Sequence, residues 1–396
     1  MSDGTTAAAM VADPGRGTPP QADAPAPLLP DWDGACLHRV IPGLLGHLAD
    51  PDGATLPPWF PAPVRQATQI VLLVIDGLGA EQLRARSHLA PVLSSGVGGT
   101  VTSVAPSTTA CALTTLVTGA VPAVHGVVGY RLALDGKVMN VLQWSIDGVD
   151  ARMALPAHVF QPVPSFPGAA GVVPVVTRYD YGPTGFTAAH LGHVDLHRWH
   201  TPAGLVTTVR HLASTGTPFV YAYYEGIDKV AHAEGLGDYY DDELRATDRL
   251  VADVLEVLPP GAVLVVTADH GQVDVGSSVE VLGPEIMDGL TLISGEGRFR
   301  WLHARPGATA SVVDAATDLH GDVAWVRTRE QVIDEGWLGG IPSPEIAERL
   351  GDVALIPFEC TAFLDPADTG ELRLRARHGS LTRDEMLVPL LGWTAG

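Results

Sequence analysis

The chain has 396 residues, a formal net charge of −21, and 46% hydrophobic against 17% charged residues. The apolar content supports a large core and excludes global disorder. The negative charge argues against a nucleic-acid duplex or an anionic membrane surface as a partner. The three cysteines, Cys36, Cys111 and Cys360, are far apart in the sequence, which excludes a disulfide framework and a cysteine-rich zinc module.

The N-terminal segment is rich in Ala, Pro, Gly and Asp. We expect residues 1–35 to form a flexible tail, because they offer few large apolar side chains to offset the entropy of ordering, and residues 36–396 to form one α/β domain. The start of the chain lacks a basic stretch followed by an apolar stretch, and no apolar run approaches the ~20 residues of a membrane span. We therefore expect no signal peptide, no membrane partner and a cytoplasmic location.

Short unbroken apolar runs predict buried strands at residues 69–75, 218–224 and 262–268. Acidic or histidine residues follow each run, and a helical pattern over residues 238–258 connects the last two. This order predicts βαβ units, hence a mostly parallel sheet with helices on both faces. Since such sheets bind ligands at the carboxyl ends of their strands, we expect one shared site there.

Residues 296–345 have a different character, with an aromatic and basic run, a helical stretch and a glycine-rich turn. We interpret them as a small inserted α/β subdomain that caps the site.

A Ser/Thr-rich segment, SVAPSTTACALTTLVTG, predicts a helix with Thr109 at its N-terminus, because Ser107 and Thr108 are suitable caps and Gly119 ends the helical pattern. Free N–H groups and the positive end of the helix dipole favour a bound phosphate and an ionised hydroxyl at that position. The alternative is that these hydroxyl residues only cap the helix.

Candidate metal ligands occur at several separated positions. Asp228 and His232 would share one helix face at spacing i, i+4, whereas Asp269 and His270 are adjacent at a strand end and also fit an ordinary surface turn. His378, in the late segment ARHGS, indicates little by itself. Together with Asp76, these carboxylates and imidazoles suit two zinc ions, an arrangement that promotes in-line displacement at phosphorus.

The segments VLLVIDGLG, PSTTACALTTLVTGAVPAVHGVVGY, YEGIDKVAHAEG, VVTADHG and RHGSLTRDEMLVPLL, in this order, resemble the alkaline phosphatase superfamily, specifically its type I phosphodiesterase/nucleotide pyrophosphatase branch. The resemblance implies a three-layer α/β/α sandwich and two zinc ions, with Mn²⁺ as a substitute. It implies that one ion is held by Asp76, Thr109, Asp269 and His270. The other would be held by Asp228, His232 and His378.

The resemblance also implies that Thr109 is the nucleophile, since it lies ten residues before Gly119, with Thr108 as the alternative. Branch members usually carry an Asn shortly after the His-Gly pair to hold a phosphate oxygen, and Tyr130 stands there instead. Asn140 occurs later, and we treat Tyr130 and Asn140 as candidate substrate contacts. The Cys-x-Pro-x-Arg block of sulfatases is absent from the sequence, and so is a clear counterpart of the basic residues of the mutases.

Four further histidines crowd one stretch: His190, His193, His197 and His200. A separate metal site, a substrate contact and solvated surface are the three interpretations, and we favour solvated surface. His125 and Cys111 are expected to be structural.

The function predicted from the sequence is metal-dependent hydrolysis of a phosphodiester or nucleotide by double displacement through a phospho-threonine. The alternatives are a phosphomonoesterase or phosphonate hydrolase on the same fold, and a non-catalytic metal-binding relative. The partner expected in each enzymatic case is a small-molecule phosphate ester or nucleotide. The natural substrate and the oligomeric state carry no signal in the sequence.

Overall fold

The computed structural model describes residues 24–396 except 52, 54, 55, 369, 371 and 372. Its strands are β1 Ile70–Ile75, β2 Val97–Thr102, β3 Arg131–Leu134, β4 Lys137–Asn140, β5 Ser145–Ile146, β6 Val149–Asp150, β7 Pro174–Arg178, β8 Asp195–Trp199, β9 Phe219–Tyr224, β10 Val263–Thr267, β11 Val273–Asp274, β12 Val279–Val281, β13 Leu290–Glu296, β14 Phe299–Ala304, β15 Ala324–Thr328, β16 Val353–Pro357, β17 Ala362–Leu364, β18 Ala376–Arg377 and β19 Leu387–Thr394.

The helices alternate with these strands along much of the chain. They are α1 Val40–Ala49, α2 Ala80–Ala85, α3 Pro91–Ser94, α4 Thr109–Thr118, α5 Pro122–His125, α6 Ala157–Phe160, α7 Gly185–His190, α8 Pro202–Ser214, α9 Gly226–Glu234, α10 Asp238–Val257, α11 Pro284–Met287, α12 Thr309–His320, α13 Arg329–Asp334, α14 Pro344–Ala347 and α15 Arg383–Met386. Short 3₁₀ turns occur at Leu37–Arg39, Ala62–Gln66, Ser87–Leu89 and Tyr179–Tyr181.

A seven-stranded sheet in the order β2-β19-β10-β1-β9-β7-β8 forms the centre of the molecule. Strand β1 pairs in parallel with β10 on one side and with β9 on the other, and β19 is antiparallel to both of its neighbours. The three strands predicted from the sequence are therefore adjacent. Their carboxyl ends lie side by side at one edge of the sheet.

Helices cover both faces of the central sheet. Every residue of β1, β9 and β10 is buried, which requires a covering layer on each face because successive side chains of a strand point to opposite faces. Helix α10 packs against α3, α8 and α9, whereas α4 packs against α1, α5 and α7. The predicted three-layer α/β/α architecture with a mostly parallel sheet is confirmed.

A smaller antiparallel sheet, β13-β14-β16-β15, spans residues 290–357 and includes the segment 296–345 that the sequence marks as an inserted subdomain. Alternate residues of its strands point to two cores. Leu302 and Leu355 belong to a separate apolar cluster with α12 residues, whereas Trp301 and Ile356 belong to the main core. The period of two along each strand thus attaches this sheet to the body while giving it a core of its own.

Part of the predicted N-terminal tail lies against the body. Within residues 24–35, Leu28 N–H donates to the Leu381 carbonyl at 2.9 Å, and the Trp32 indole donates to the Gly336 carbonyl at 2.8 Å. The apolar side chains of Leu28, Leu29 and Trp32 pack on the main core, which offsets the entropy of ordering this segment. The rest of the tail prediction, residues 1–23, lies outside the described residues.

Among the described residues, no helix combines the length and the hydropathy that crossing a membrane requires.

A buried ion pair between Arg298 and Glu385 attaches the small sheet to the segment that follows His378. Arg298 donates from Nε and Nη2 to the two carboxylate oxygens of Glu385 at 3.0 and 2.7 Å, and both side chains are fully buried. Arg298→Met leaves the Glu385 charge buried without its cation, so the free energy of unfolding should fall by about 3–5 kcal/mol. Urea-induced unfolding followed by circular dichroism measures the change.

The matched control for this prediction is Arg152→Met, which removes an exposed pair with Asp150. It should leave the unfolding transition where it is, since exposed ion pairs contribute little. Equal midpoints for Arg298→Met and the unmodified protein would contradict the role assigned to the buried pair.

Candidate active site

An acidic residue lies shortly after each of the three central strands, and the three meet at the carboxyl edge of the sheet. Asp76 is the residue after β1, Asp269 is the second residue after β10, and Asp228 lies in the first turn of α9, which follows β9. The Asp76 N–H continues the sheet hydrogen bonding by donating to the Tyr224 carbonyl at 2.9 Å. The position of the site is therefore set by the strand ends.

One cluster combines Asp76, Asp269, His270 and Thr109. His270 Nε2 lies 3.4 Å from Asp76 Oδ1 and 3.4 Å from Asp269 Oδ2, and all three side chains are buried. Thr109 Oγ1 lies 3.0 Å from the same His270 nitrogen. The four predicted residues of the first zinc site thus converge on one point.

A second cluster combines Asp228, His232 and His378. His232 Nε2 lies 3.3 Å from Asp228 Oδ1 across one turn of α9, and His378 Nε2 lies 3.9 Å from the same oxygen. The His378 ring stacks on the His270 ring with centroids 3.5 Å apart, which places the two clusters next to each other. All seven residues predicted as metal ligands are therefore brought together.

The backbone fixes the tautomer of each histidine. The Nδ1 atoms of His232, His270 and His378 lie 2.8, 3.1 and 3.0 Å from the carbonyl oxygens of Ala376, Gly271 and Ser107, respectively. A carbonyl oxygen only accepts hydrogen bonds, so Nδ1 carries the hydrogen in each neutral ring and Nε2 keeps its lone pair. The three Nε2 atoms are therefore the ones that face the carboxylate oxygens, and a neutral ring offers its Nε2 lone pair to a cation held between the two groups.

The electrostatics of the buried carboxylates also favour a cation at this position. Asp76 Oδ1 and Asp269 Oδ2 are buried and have no hydrogen-bond partner among the described residues. Burial and the neighbouring charges of Asp269 and Asp228 raise the pKa of Asp76 well above its usual value. Burial, with the nearby His270 and His232, lowers the pKa of His378 well below its usual value, so the ring is neutral.

The donor set fits a divalent cation. One ligand atom from each of Asp76, Asp269 and His270 lies within 4.8 Å of the others, and the same holds for Asp228, His270 and His378. His270 thus belongs to both groups, whereas His232 belongs to neither and adjoins the second group through Asp228 Oδ1 at 3.3 Å. Mixed carboxylate and imidazole donors are typical of zinc. Among the described residues, these are the groups whose geometry could hold a metal ion.

Two residues that the sequence analysis did not single out hold the carboxylates in place. The Tyr223 hydroxyl donates to Asp76 Oδ2, which leaves Oδ1 facing His270. The Gln272 amide donates to Asp228 Oδ1 at 2.8 Å. The sequence does distinguish the strand that carries Tyr223. Strand β9 contains three tyrosines, whereas β1 and β10 contain mainly aliphatic residues, so polar hydroxyl groups in the core were foreseeable there.

Helix α4 determines which threonine faces the clusters. Thr108 is its N-cap residue and is almost completely buried, whereas Thr109 is its first residue and directs Oγ1 at His270. Gly119 ends the helix in the left-handed conformation, with φ of 65°, which only glycine adopts without strain. The first N–H groups of the helix have no partner within it and can bind an anion beside Thr109.

Two cavities meet at this point and share Thr109, Leu142 and Asp228 in their linings. The first, here named the smaller cavity, has a volume of about 190 Å³. Its remaining described lining is Asp76, Leu113, Thr177, Tyr181, Thr184, Phe186, Thr187, His190, Leu191, Tyr221 and Tyr223. The second, here named the larger cavity, has a volume of about 330 Å³. Its remaining described lining is Thr108, Tyr130, Asn140, Gln143, His232, Glu296, Gly297, Asp368, Gly370, Leu374, Arg377 and His378.

Both candidate substrate contacts, Tyr130 and Asn140, lie in the larger cavity. The Tyr130 hydroxyl donates to Asp368 Oδ2, and Asn140 Oδ1 accepts from the Gln143 N–H at 2.9 Å. Arg131 Nη1 lies 2.7 Å from Asp365 and 3.2 Å from Asp368. Tyr130 is therefore held by this ion-pair network at the edge of the site.

The four crowded histidines have separate surroundings. His190 is buried and lines the smaller cavity, and its Nδ1 atom lies 2.7 Å from the Phe186 carbonyl oxygen. His197 lies 2.9 Å from Asp195, His200 stacks on Tyr179, and His193 is exposed. None of them belongs to the groups of described residues that could hold a metal.

The other two expectations concern His125 and Cys111. His125 Nδ1 accepts from the Val127 N–H at 3.0 Å, and Nε2 lies 2.8 Å from Thr115 Oγ1. Cys111 is fully buried in α4. Both side chains therefore support the packing around helix α4.

Comparison with solved structures identifies relatives of the fold. Human ectonucleotide pyrophosphatase/phosphodiesterase 5 aligns over 82% of this chain and 87% of its own, with a TM-score of 0.62 and 15% identity. An inactive form of the murine protein in complex with AMP gives a TM-score of 0.59 at 15% identity over the same shares of the two chains. Phosphonoacetate hydrolase from Sinorhizobium meliloti 1021, in complex with phosphonoacetate, aligns over 86% of this chain and 92% of its own, with a TM-score of 0.60 and 19% identity.

At these identities the solved structures establish the fold alone, and none of the curated proteins compared with the sequence matches it. The family is established by the sequence itself. Residues 70–381, well over half of the chain, match the family model described as type I phosphodiesterase / nucleotide pyrophosphatase. The matched range contains all seven clustered residues. The chain therefore belongs to the type I phosphodiesterase/nucleotide pyrophosphatase family of metal-dependent phosphoester hydrolases.

Proposed function

We propose that this protein hydrolyses small-molecule phosphodiesters, with Thr109 as the nucleophile and two zinc ions as cofactors. The observation that carries the proposal is the position of Thr109 Oγ1, at the N-terminus of α4 and 3.0 Å from His270, where the two clusters meet. A hydroxyl in this position has an anion-binding helix end beside it and metal-binding side chains on two sides.

The residues that would hold the zinc ions are those that the structure brings together. Asp76, Asp269 and His270, with Thr109, would hold one ion, and Asp228, His232 and His378 would hold the other; Mn²⁺ is the expected substitute. When bound, the ions supply positive charge that stabilises the developing charge at phosphorus and lowers the pKa of neighbouring hydroxyl groups.

The reaction proposed for the chain is a double displacement. Thr109 Oγ forms a bond to phosphorus while the bond from phosphorus to the departing oxygen breaks, and the threonine proton ends on the released alcohol. Water then forms a bond to phosphorus, and the phospho-threonine bond breaks to restore Thr109 and release a phosphomonoester. The N–H groups at the start of α4 bind a phosphoryl oxygen in both steps.

The space around Thr109 favours a diester over the alternatives. A phosphodiester carries two substituents, and two cavities of about 190 and 330 Å³ share Thr109 in their linings. A monoester or a simple phosphonate would leave one of them unfilled. A non-catalytic relative would be expected to lack one or more ligands, whereas all seven positions are filled and converge here.

The proposed activity is tested by measuring hydrolysis of bis-para-nitrophenyl phosphate and of para-nitrophenyl phosphate before and after chelation. We expect turnover of the diester to exceed that of the monoester, to disappear after chelation and to return with zinc. A preference for the monoester would move the function to the first alternative. Bound metal without turnover of either ester would support the non-catalytic relative.

We predict that Thr109→Ala lowers kcat for the diester by at least about a thousandfold, because the nucleophile is lost. The second zinc site does not include Thr109, so at least one zinc ion per chain should remain, as measured by mass spectrometry of the metal content. Thr108→Ala is the matched control, since Thr108 is the N-cap residue of α4 but its side chain makes no capping hydrogen bond, and the variant should retain most of the activity. An inactive Thr108→Ala beside an active Thr109→Ala would assign the nucleophile to Thr108.

We predict that Tyr223→Phe weakens one of the two zinc sites by about 10- to 100-fold, the range found when a partner of a metal ligand is removed. The hydroxyl of Tyr223 holds Asp76 Oδ2, and its loss frees the carboxylate to rotate away from His270. Titration of the zinc-loaded protein with a chelator should show one ion released earlier and the other unchanged.

Tyr221→Phe is the matched control for Tyr223→Phe. Tyr221 lies two residues earlier on β9 and also lines the smaller cavity. Its hydroxyl has no hydrogen-bond partner among the described residues. Its removal should leave both zinc affinities unchanged. Equal zinc release from the two variants would show that the hydrogen bond to Asp76 does not orient the ligand.

A further inference from the structure

The connection between β2 and α4, residues 103–108, is buried throughout and ends directly before Thr109. A buried connection must find partners for its polar groups within the protein. At its start, the Ser103 hydroxyl donates to the Asp269 carbonyl. At its end, Ser107 bonds to the segment that follows β18. The connection therefore joins Thr109 to a chain segment from each metal cluster.

Ser107 makes four hydrogen bonds to three consecutive residues, His378, Gly379 and Ser380. Its N–H donates to the Gly379 carbonyl at 3.1 Å, and its carbonyl accepts from His378 Nδ1 at 3.0 Å. Its hydroxyl accepts from the Gly379 N–H at 3.2 Å and donates to the Ser380 carbonyl at 2.6 Å. The Ser107 side chain is fully buried, so its hydroxyl is satisfied by protein groups.

Two of these four bonds depend on the side chain of Ser107. A serine hydroxyl has one hydrogen to donate and lone pairs to accept, and both functions are used here. Without the hydroxyl, the buried Gly379 N–H and Ser380 carbonyl would lose these partners, and leaving a buried polar group unsatisfied costs more than a typical hydrogen bond contributes. We therefore expect the segment that carries His378 to move when the hydroxyl is removed.

Ser107 lies between the proposed nucleophile and a ligand of the second zinc site. Along the chain it is two residues before Thr109, whose Oγ1 atom lies 3.0 Å from His270 Nε2. Across the fold it orients His378, whose ring stacks on the ring of His270 at 3.5 Å. A shift of the His378 segment would therefore also change the start of α4, and a displacement of about 1 Å can cost a reaction about a hundredfold in rate.

We propose that Ser107 is a positioning residue, whose hydroxyl holds the His378 segment against the start of α4 and so keeps Thr109 aligned with the second zinc site. The proposal rests on the function proposed above, since it names a further residue of the same site. The competing explanation is that the hydroxyl only satisfies buried backbone groups and contributes to stability alone.

Ser107→Ala removes the hydroxyl and keeps the two bonds of the backbone. At saturating zinc, kcat for bis-para-nitrophenyl phosphate should fall about 10- to 100-fold. KM should change by less than about threefold, because Ser107 lines neither cavity. The zinc affinity of the second site should fall about 10- to 100-fold while that of the first stays unchanged. Anomalous diffraction from crystals equilibrated with increasing chelator measures the occupancy of each site separately.

Ser294→Ala is the matched control. Ser294 is also fully buried, and its hydroxyl forms a hydrogen bond with His303 at 2.8 Å in the small sheet. This variant should leave kcat and both zinc affinities unchanged. Ser107→Thr keeps the hydroxyl and should restore the affinity of the second site to within about threefold of the unmodified protein. The proposal is overturned if Ser107→Ala keeps its kcat and its second-site affinity, or if it weakens both zinc sites equally.

Amide hydrogen exchange tests the same coupling without a Ser107 variant that must fold. In Thr109→Ala, residues 103–109 supply no side-chain ligand to either proposed zinc site. Zinc should nevertheless slow exchange in the peptide that contains Ser107, because its amide is bonded to the His378 segment, and should leave the peptide that contains Ser294 unchanged. Slower exchange at residues 376–380 with no change at Ser107 would contradict the proposal.

The proposed function and the role of Ser107 can fail separately. If the unmodified protein hydrolyses no phosphate ester, the proposed function fails. The zinc affinities and the exchange rates then still decide whether Ser107 positions the segment that carries His378.

Discussion

The arrangement of the site depends on one electrostatic constraint, the gathering of buried carboxylates in a chain that is already strongly negative. Asp76 and Asp269 are buried at adjacent strand ends, and Asp228 lies close enough to raise the pKa of Asp76 further. Like charges in a medium of low dielectric repel strongly, so this edge of the sheet is stable as an ionised group only with cations among the carboxylates. This charge distribution agrees with the metal dependence of the family.

The fold positions the carboxylate and imidazole side chains that this constraint involves. Parallel strands place the acidic residues at one edge, and three backbone carbonyls fix the tautomers of His232, His270 and His378 so that each Nε2 lone pair faces inwards. The buried Arg298–Glu385 pair anchors the segment after His378, because Glu385 Oε1 also accepts from the Ser380 N–H at 3.0 Å. The geometry of the site and the stability of the fold thus share the same hydrogen bonds, and two cavities open beside Thr109.

The sequence predicts the parts of this arrangement that local patterns encode. Three apolar runs followed by acidic or histidine residues predicted the adjacent strands and the edge at which Asp76, Asp228 and Asp269 meet, and the helix start predicted the position of Thr109. What local patterns cannot encode is register across the sheet. Tyr223 contacts Asp76 because β9 pairs with β1 so that Tyr223 lies opposite Val74.

Contacts between segments that are far apart in the chain could not be predicted from the sequence either. The carbonyl that orients His378 belongs to Ser107, far away in the chain, and the attachment of residues 24–35 depends on carbonyls of Gly336 and Leu381. The character of the two cavities also arises from side chains of many separate elements. These features become visible only once the chain is folded, because no short segment contains both partners.

The most direct test of the account is a crystal structure of the zinc-loaded protein with anomalous diffraction recorded above and below the zinc absorption edge. The account predicts two anomalous peaks, one among Asp76, Asp269 and His270 and the other among Asp228, His232 and His378. Peaks elsewhere, or no peak at these clusters in crystals grown with zinc, would contradict the claim that the buried carboxylates and imidazoles form a two-metal site.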